Sequence, residues 1–196
     1  MRLLNNYLGT MAEIVKRNGG TIDEFIGDAI LALFGAPIAH DDDPLRAVTC
    51  ALEMQGAMDE VNARNREMGL PEVEMGVGIA TGDVIVGNIG SEQRTKYGAV
   101  GSAVNLAAGV ESQTSGADIL ICPSTHVETA EHVVIAETRE WHPKGFEAPI
   151  EIRSVVGLRG RDDLGLAGQA PELHELRERV AVLLTPIRGK ALDDAG

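Results

Sequence analysis

Between Thr21 and Pro37 the chain reads Thr-Ile-Asp-Glu-Phe-Ile-Gly-Asp-Ala-Ile-Leu-Ala-Leu-Phe-Gly-Ala-Pro, two short runs rich in β-branched and aromatic residues on either side of Gly27-Asp28. That pattern predicts a tight β-hairpin, which commits the chain to a fold containing antiparallel sheet. It also holds one carboxylate, Asp28, at the turn. Read without further context, Asp28 is a turn former, because Asp suits turns for backbone reasons alone.

The segments around the hairpin supply helices. Leu3, Leu4, Tyr7, Leu8, Met11, Ile14 and Val15 recur at three-to-four spacing, and Gly19-Gly20 follows them, so a first helix is expected up to that pair. It opens at residue 1 inside its own apolar stripe, without a capping residue, as expected of a domain that has lost a preceding segment. Asp43-Pro44 starts a second helix, with Asp as cap and Pro at the first helical position, running to about Met68. Val73, Met75, Val77 and Ile79 alternate as in a half-buried strand, and Thr81-Gly82-Asp83 is expected to turn it back into Val84–Ile89 as a second hairpin. A short helix from Gly101-Ser102 to about Glu111 follows. A strand at Ile119–Ile121, a helical turn after Pro123, and strands near 133–140 and 149–156 complete the pattern. Arg159 to Gly168 is rich in Gly and charge, and Pro171 to Leu184 is expected to form one helix. The order predicts an α+β domain over residues 1–157, mainly antiparallel sheet with helices packed against it, and a linker with a partial C-terminal extension over 158–196.

A chain of 196 residues suits one such domain. Its formal net charge of -13 argues against a general nucleic-acid binder, which needs clustered Lys and Arg. Cys50 and Cys122 sit in apolar contexts without metal-like spacing and are expected to be buried thiols. No apolar run approaches the roughly 20 residues of a membrane span, and the expectation is a soluble, cytoplasmic domain. The glycine pairs at 76 and 78 and at 87 and 90 form neither a P-loop nor a dinucleotide fingerprint, since neither lies between a strand and a helix at the needed spacing.

The run from Thr21 to Pro37 resembles the metal-site hairpin of class III nucleotidyl cyclases, the adenylyl and guanylyl cyclase catalytic domain. The resemblance covers roughly residues 1–157 and is strongest at 19–37 and 76–112, with a weaker stretch at 141–152. It implies a ferredoxin-like cyclase fold that lacks its first strand, and a reaction converting ATP or GTP to a 3′,5′-cyclic nucleotide and pyrophosphate. In that family two subunits pair head to tail, and two carboxylates hold two Mg²⁺ or Mn²⁺ ions that neutralise charge at the phosphates. A homodimer or a heterodimer with another cyclase domain is therefore expected.

The resemblance assigns roles residue by residue. Asp28 matches the second metal carboxylate. The first would lie in a segment resembling Phe-x-Asp-Ile-x-Gly-Phe-Thr ahead of the first helix, where this chain has none, so one metal ligand is expected to be missing. Glu24 stands where guanylyl cyclases use Glu to accept the guanine donors and adenylyl cyclases carry Lys; a carboxylate only accepts. Its plain alternative is an exposed strand acid. Gly98 occupies the partner base position, where family members mostly place Asp, Thr or Cys. Asn105 matches the Asn that orients the ribose in a motif resembling Val-Asn-x-Ala-x-Arg. Gly109 replaces the Arg of that motif, which would share the helix face of Asn105 and neutralise transition-state charge. Lys144 matches a triphosphate-contacting Lys, with an ordinary Lys-Gly turn as the alternative. Arg94 is a candidate phosphate contact, or else an exposed loop cation. These substitutions lead us to expect weak or lost turnover, and alternatively a non-catalytic dimerisation or nucleotide-binding module. A ferredoxin-like domain with no nucleotide role is the third reading.

Overall fold

Helix α1 (Arg2–Arg17) forms on the predicted spacing: Tyr7, Met11, Ile14 and Val15 are buried and the intervening polar residues face outward. The computed structural model describes residues 1–91, 94–160, 179–185 and 187–189, with residues 90, 91, 94–96 and those beyond 178 described by backbone path. The hairpin follows as β1 (Thr21–Ile26) and β2 (Ala29–Phe34), joined at Gly27, whose φ of 66° explains why glycine precedes Asp28. Every residue of β2 is buried. Ile30, Ala32 and Phe34 face one apolar cluster and Leu31 and Leu33 another, which marks β2 as an inner strand with both faces covered.

Two helices replace the single one expected to Met68. Helix α2 (Asp43–Gly56) gives way at Ala57 to α3 (Met58–Glu67). Asp43 is the first residue of α2 rather than its cap; its carboxylate accepts the backbone N–H of His40 at 2.6 Å and pairs with Arg46 at 3.2 Å. The next strand is split at Gly76 into β3 (Val73–Met75) and β4 (Val77–Asp83), and β4 is buried on both faces over its first five residues. The alternation at 73–79 is therefore not the mark of a half-buried strand. The small residues Gly78 and Ala80 point at helix α4 (Ser102–Glu111), and a Cβ on Gly78 would lie 2.4 Å from the Glu111 backbone nitrogen. Smallness, not polarity, is what that face requires.

The second hairpin also differs from expectation. β4 runs on through Asp83, and β5 (Ile85–Ser91) pairs with β6 (Arg94–Val100), not with β4, as a separate two-stranded arm. Beyond α4 come β7 (Ile119–Ile121), α5 (Pro123–Thr129), β8 (Val133–Trp141) and β9 (Ile150–Leu158), all near their predicted places. Cys50 and Cys122 are buried free thiols.

The chain returns to the sheet at its far end. β10 (Arg179–Thr185) lies between β2 and β4, antiparallel to both, and β11 (Ile187–Gly189) pairs with β3. A helix over 171–184 is thus excluded for Arg179–Leu184, since a β-branched, apolar run beside two strand edges gains a ladder on each side. Residues 171–178 lie outside the described residues. The main sheet has seven strands in the order β1-β2-β10-β4-β7-β9-β8, antiparallel except for β4 with β7. Helices α1, α2 and α3 contribute to the apolar cluster on one face, and α4 to that on the other.

Candidate active site

The pairing of β1 with β2 slips by one residue inside β1. Ile22 opposes Ala32 and Glu24 opposes Leu31, so Asp23 is an extra residue, a β-bulge. Bulges re-aim side chains. Without the slip Glu24 would fall on the Ala32 side of the sheet with α1 and α2. With it, Glu24 lies across from Leu31, on the face that carries α4. Asp23 turns toward the β5–β6 arm: its Oδ1 stands 3.4 Å and its Oδ2 3.7 Å from where a Cβ on Gly98 would be. Asp23 and Gly98 therefore meet where β1 lies against β6, with Glu24 next along β1. Arg94 opens β6, and its side chain lies outside the described residues.

A second group forms along α4. Asn105 is exposed and Gly109 half-buried one turn on, so the two share a face as expected. What the sequence did not reveal is the neighbour of Gly109. The indole of Trp141, at the end of β8, lies so close that a Cβ at position 109 would be 2.5 Å from its Cη2. Glycine at 109 is required by this packing. The loop after Trp141 carries Lys144, exposed, and is tied by the Phe146 N–H donating to Pro143 O at 3.2 Å and by His142 Nε2 with Phe146 O at 3.1 Å. Gly145, at φ 91°, lets the loop turn.

The scaffold beneath is held by charged contacts. Asp118 Oδ2 accepts the Ser115 N–H at 3.0 Å and the Arg139 guanidinium at 3.1 Å. Burial opposes its charge, but those donors together hold its carboxyl below the usual range. Burial pushes the Asp43 carboxyl up despite the His40 N–H and Arg46.

Asp28 sits half-buried at the β1–β2 turn. Among the described residues no group of three or more His, Cys, Asp or Glu is placed to hold a metal ion. The far end of the chain bears on this. Leu184-Thr185-Pro186-Ile187-Arg188-Gly189 shares the Ile and Gly of the Phe-x-Asp-Ile-x-Gly pattern, with proline in the carboxylate's place. The strand leading into it ends with Thr185 opposite Ile30, two residues after Asp28. A segment of this kind was expected only ahead of the first helix, and reading in the usual chain order missed it.

Residues 1–151 match the family model described as the adenylate and guanylate cyclase catalytic domain. Adenylate cyclase 1 of Rhizobium meliloti (strain 1021) is 30% identical over 158 residues, covering 80% of this chain and 24% of that protein. The chain spans about a quarter of the length of the curated relatives it matches first. Among solved structures, the guanylyl cyclase Cya2 superposes with a TM-score of 0.79 at 49% identity, covering 85% of this chain and 84% of that one. The adenylyl cyclase CyaB from P. aeruginosa gives a TM-score of 0.75 at 36% identity, covering 84% of each chain. With the family model matched over more than half of its length, this chain belongs to the adenylate and guanylate cyclase catalytic domains.

Proposed function

We propose that this chain is the nucleotide-holding side of a cyclase centre. It binds a purine nucleoside triphosphate, with Glu24 on the base, Asn105 on the ribose and Lys144 on the phosphates. The supporting observation is the bulge at Asp23, which sets Glu24 on the same face of the sheet as α4 and its Asn105. Lys144 is exposed on a braced loop, which suits a cation that meets a polyanion from solvent.

The reaction is cyclisation of ATP or GTP in intracellular signalling, at a rate far below that of a domain carrying both metal carboxylates and the helix arginine. Loss of one such charge stabiliser costs roughly 10²- to 10³-fold in rate. Pairing with a second cyclase domain, as a homodimer or heterodimer, is supported by an exposed apolar ridge. Phe25 and Ile26 on β1 and Ile85, Ile89, Tyr97 and Val100 on the β5–β6 arm are all more than two-fifths exposed. An intact partner would supply metal carboxylates against this chain's Glu24, Asn105 and Lys144. No described helix is long and apolar enough to cross a membrane, and the proposed location is the cytoplasm.

A second reading, a non-catalytic dimerisation or nucleotide-binding regulator, is favoured by Trp141 standing against Gly109, in place of the arginine. Both readings require nucleotide binding or pairing; only the first requires product. Titration of the purified chain with GTP and ATP in excess Mg²⁺ tests the nucleotide site. Lys144→Ala is expected to weaken triphosphate affinity about tenfold, the scale of one charge-assisted hydrogen bond. A chain that binds neither nucleotide overturns the assignment of the site.

A further inference from the structure

We propose that Asp23 is a second base-selecting carboxylate, reading a guanine base together with Glu24. The inference rests on the reading of this chain as a purine nucleotide binder and names a residue that the family pattern does not. Its starting point is the bulge. In a regular strand two consecutive residues point to opposite faces, so only one of Asp23 and Glu24 would reach the arm. The slip between Ile22 and Glu24 removes that restriction. Glu24 falls across from Leu31, on the α4 face, while both oxygens of Asp23 lie within 4 Å of the Cβ position of Gly98 on β6.

Position 98 has no side chain of its own, and Gly98 is buried, so the polar group beside it comes from the neighbouring strand. Asp23 Oδ1 is shielded from solvent, where an electrostatic contact is stronger than in water. The chemistry of the pair then restricts the base. Carboxylates accept and do not donate. The edge of guanine carries two donor groups side by side, N1–H and N2–H₂. Adenine offers one donor, N6–H₂, next to the N1 lone pair, which a carboxylate repels. Two adjacent acceptors suit guanine, and a site built to pair donors rejects an analogue that lacks them.

The test is the ratio of GTP to ATP affinity, measured on the full chain by calorimetric titration. Asp23→Asn keeps the shape and turns one acceptor into a donor, and is expected to lower the GTP-to-ATP ratio about tenfold or more. Gly98→Ser adds a side chain whose Cβ is at ordinary contact distance from Asp23, so that its hydroxyl is expected to donate to the carboxylate and divert it. It is expected to lower the ratio in the wild-type background and to change it little once Asp23 is Asn, a coupling that a purely structural role would not produce. Should Asp23→Asn fail to fold, Gly98→Ser alone reads the ratio. A ratio unchanged in both variants overturns the role of Asp23 and leaves the nucleotide site standing. Wild-type chain that binds neither GTP nor ATP overturns the site and this inference with it.

Discussion

Gly109 shows how one residue can be misjudged from sequence. A glycine in mid-helix costs about 1 kcal/mol against alanine, and the α4 motif shows only that an arginine is gone. The reason lies more than thirty positions along, in the indole of Trp141, which no local pattern connects to α4. Gly109→Ala is accordingly expected to destabilise by about 1–3 kcal/mol through overpacking, despite the better helix propensity. With Trp141→Ala the same change is expected to stabilise by up to about 1 kcal/mol. Denaturant melts of the four proteins check this cycle, and a stabilising Gly109→Ala in the Trp141 background would contradict the packing. Gly109→Arg alone, for the same reason, is not expected to restore catalysis. Glu24, Asp28 and Asn105 could be proposed from sequence because each sits inside a short motif. Asp23 could not, since two adjacent acids in an edge strand look like solvated surface until the register shows the bulge.

Elements were legible where one period dominates. The spacing in α1 and the paired runs of the β1–β2 hairpin each reflect a single buried face or a tight turn. The reading failed at β4, where alternation of large and small residues reports α4 packed on the small face. It failed again at the second hairpin, because β5 can pair with a strand on either side and only tertiary contacts decide. The loop before β7 allows a test at this scale. Asp118 is held below its usual range by Ser115 and Arg139, so the folded state favours its ionised form. The stability it contributes is present above the unfolded carboxylate pKa of about 3.9 and is lost as pH falls through the lower folded value. Asp118→Asn should therefore lower Tm at pH 7, and the difference from wild type should shrink as pH falls below about 4. A difference that grows toward acid would contradict the sign.

At the scale of the whole molecule, the seven-stranded sheet is closed by a strand from beyond residue 178, lying between β2 and β4. Sequence order gave no hint of it, because long-range pairing leaves no local signature. A protein ending after Gly160 is expected to expose both edges of an otherwise buried slot and to lose about 10 °C or more in Tm, on the scale of a few kcal/mol for a chain of this size. An unchanged melt would contradict the pairing of β10. The same strand ends with Thr185 opposite Ile30, two residues after Asp28. The proposed function has the chain hold a purine nucleotide and cyclise it slowly, with glycine at 109 in the arginine's place. The most direct test is production of cAMP and cGMP by the purified chain with ATP and GTP in excess Mg²⁺ or Mn²⁺, beside an active cyclase as control. Bound nucleotide and turnover at least about 10²-fold below the control are expected, the scale of one missing charge stabiliser. Product formed at the control's rate would contradict it, because a site with Gly109 in place of the arginine would then suffice for the reaction.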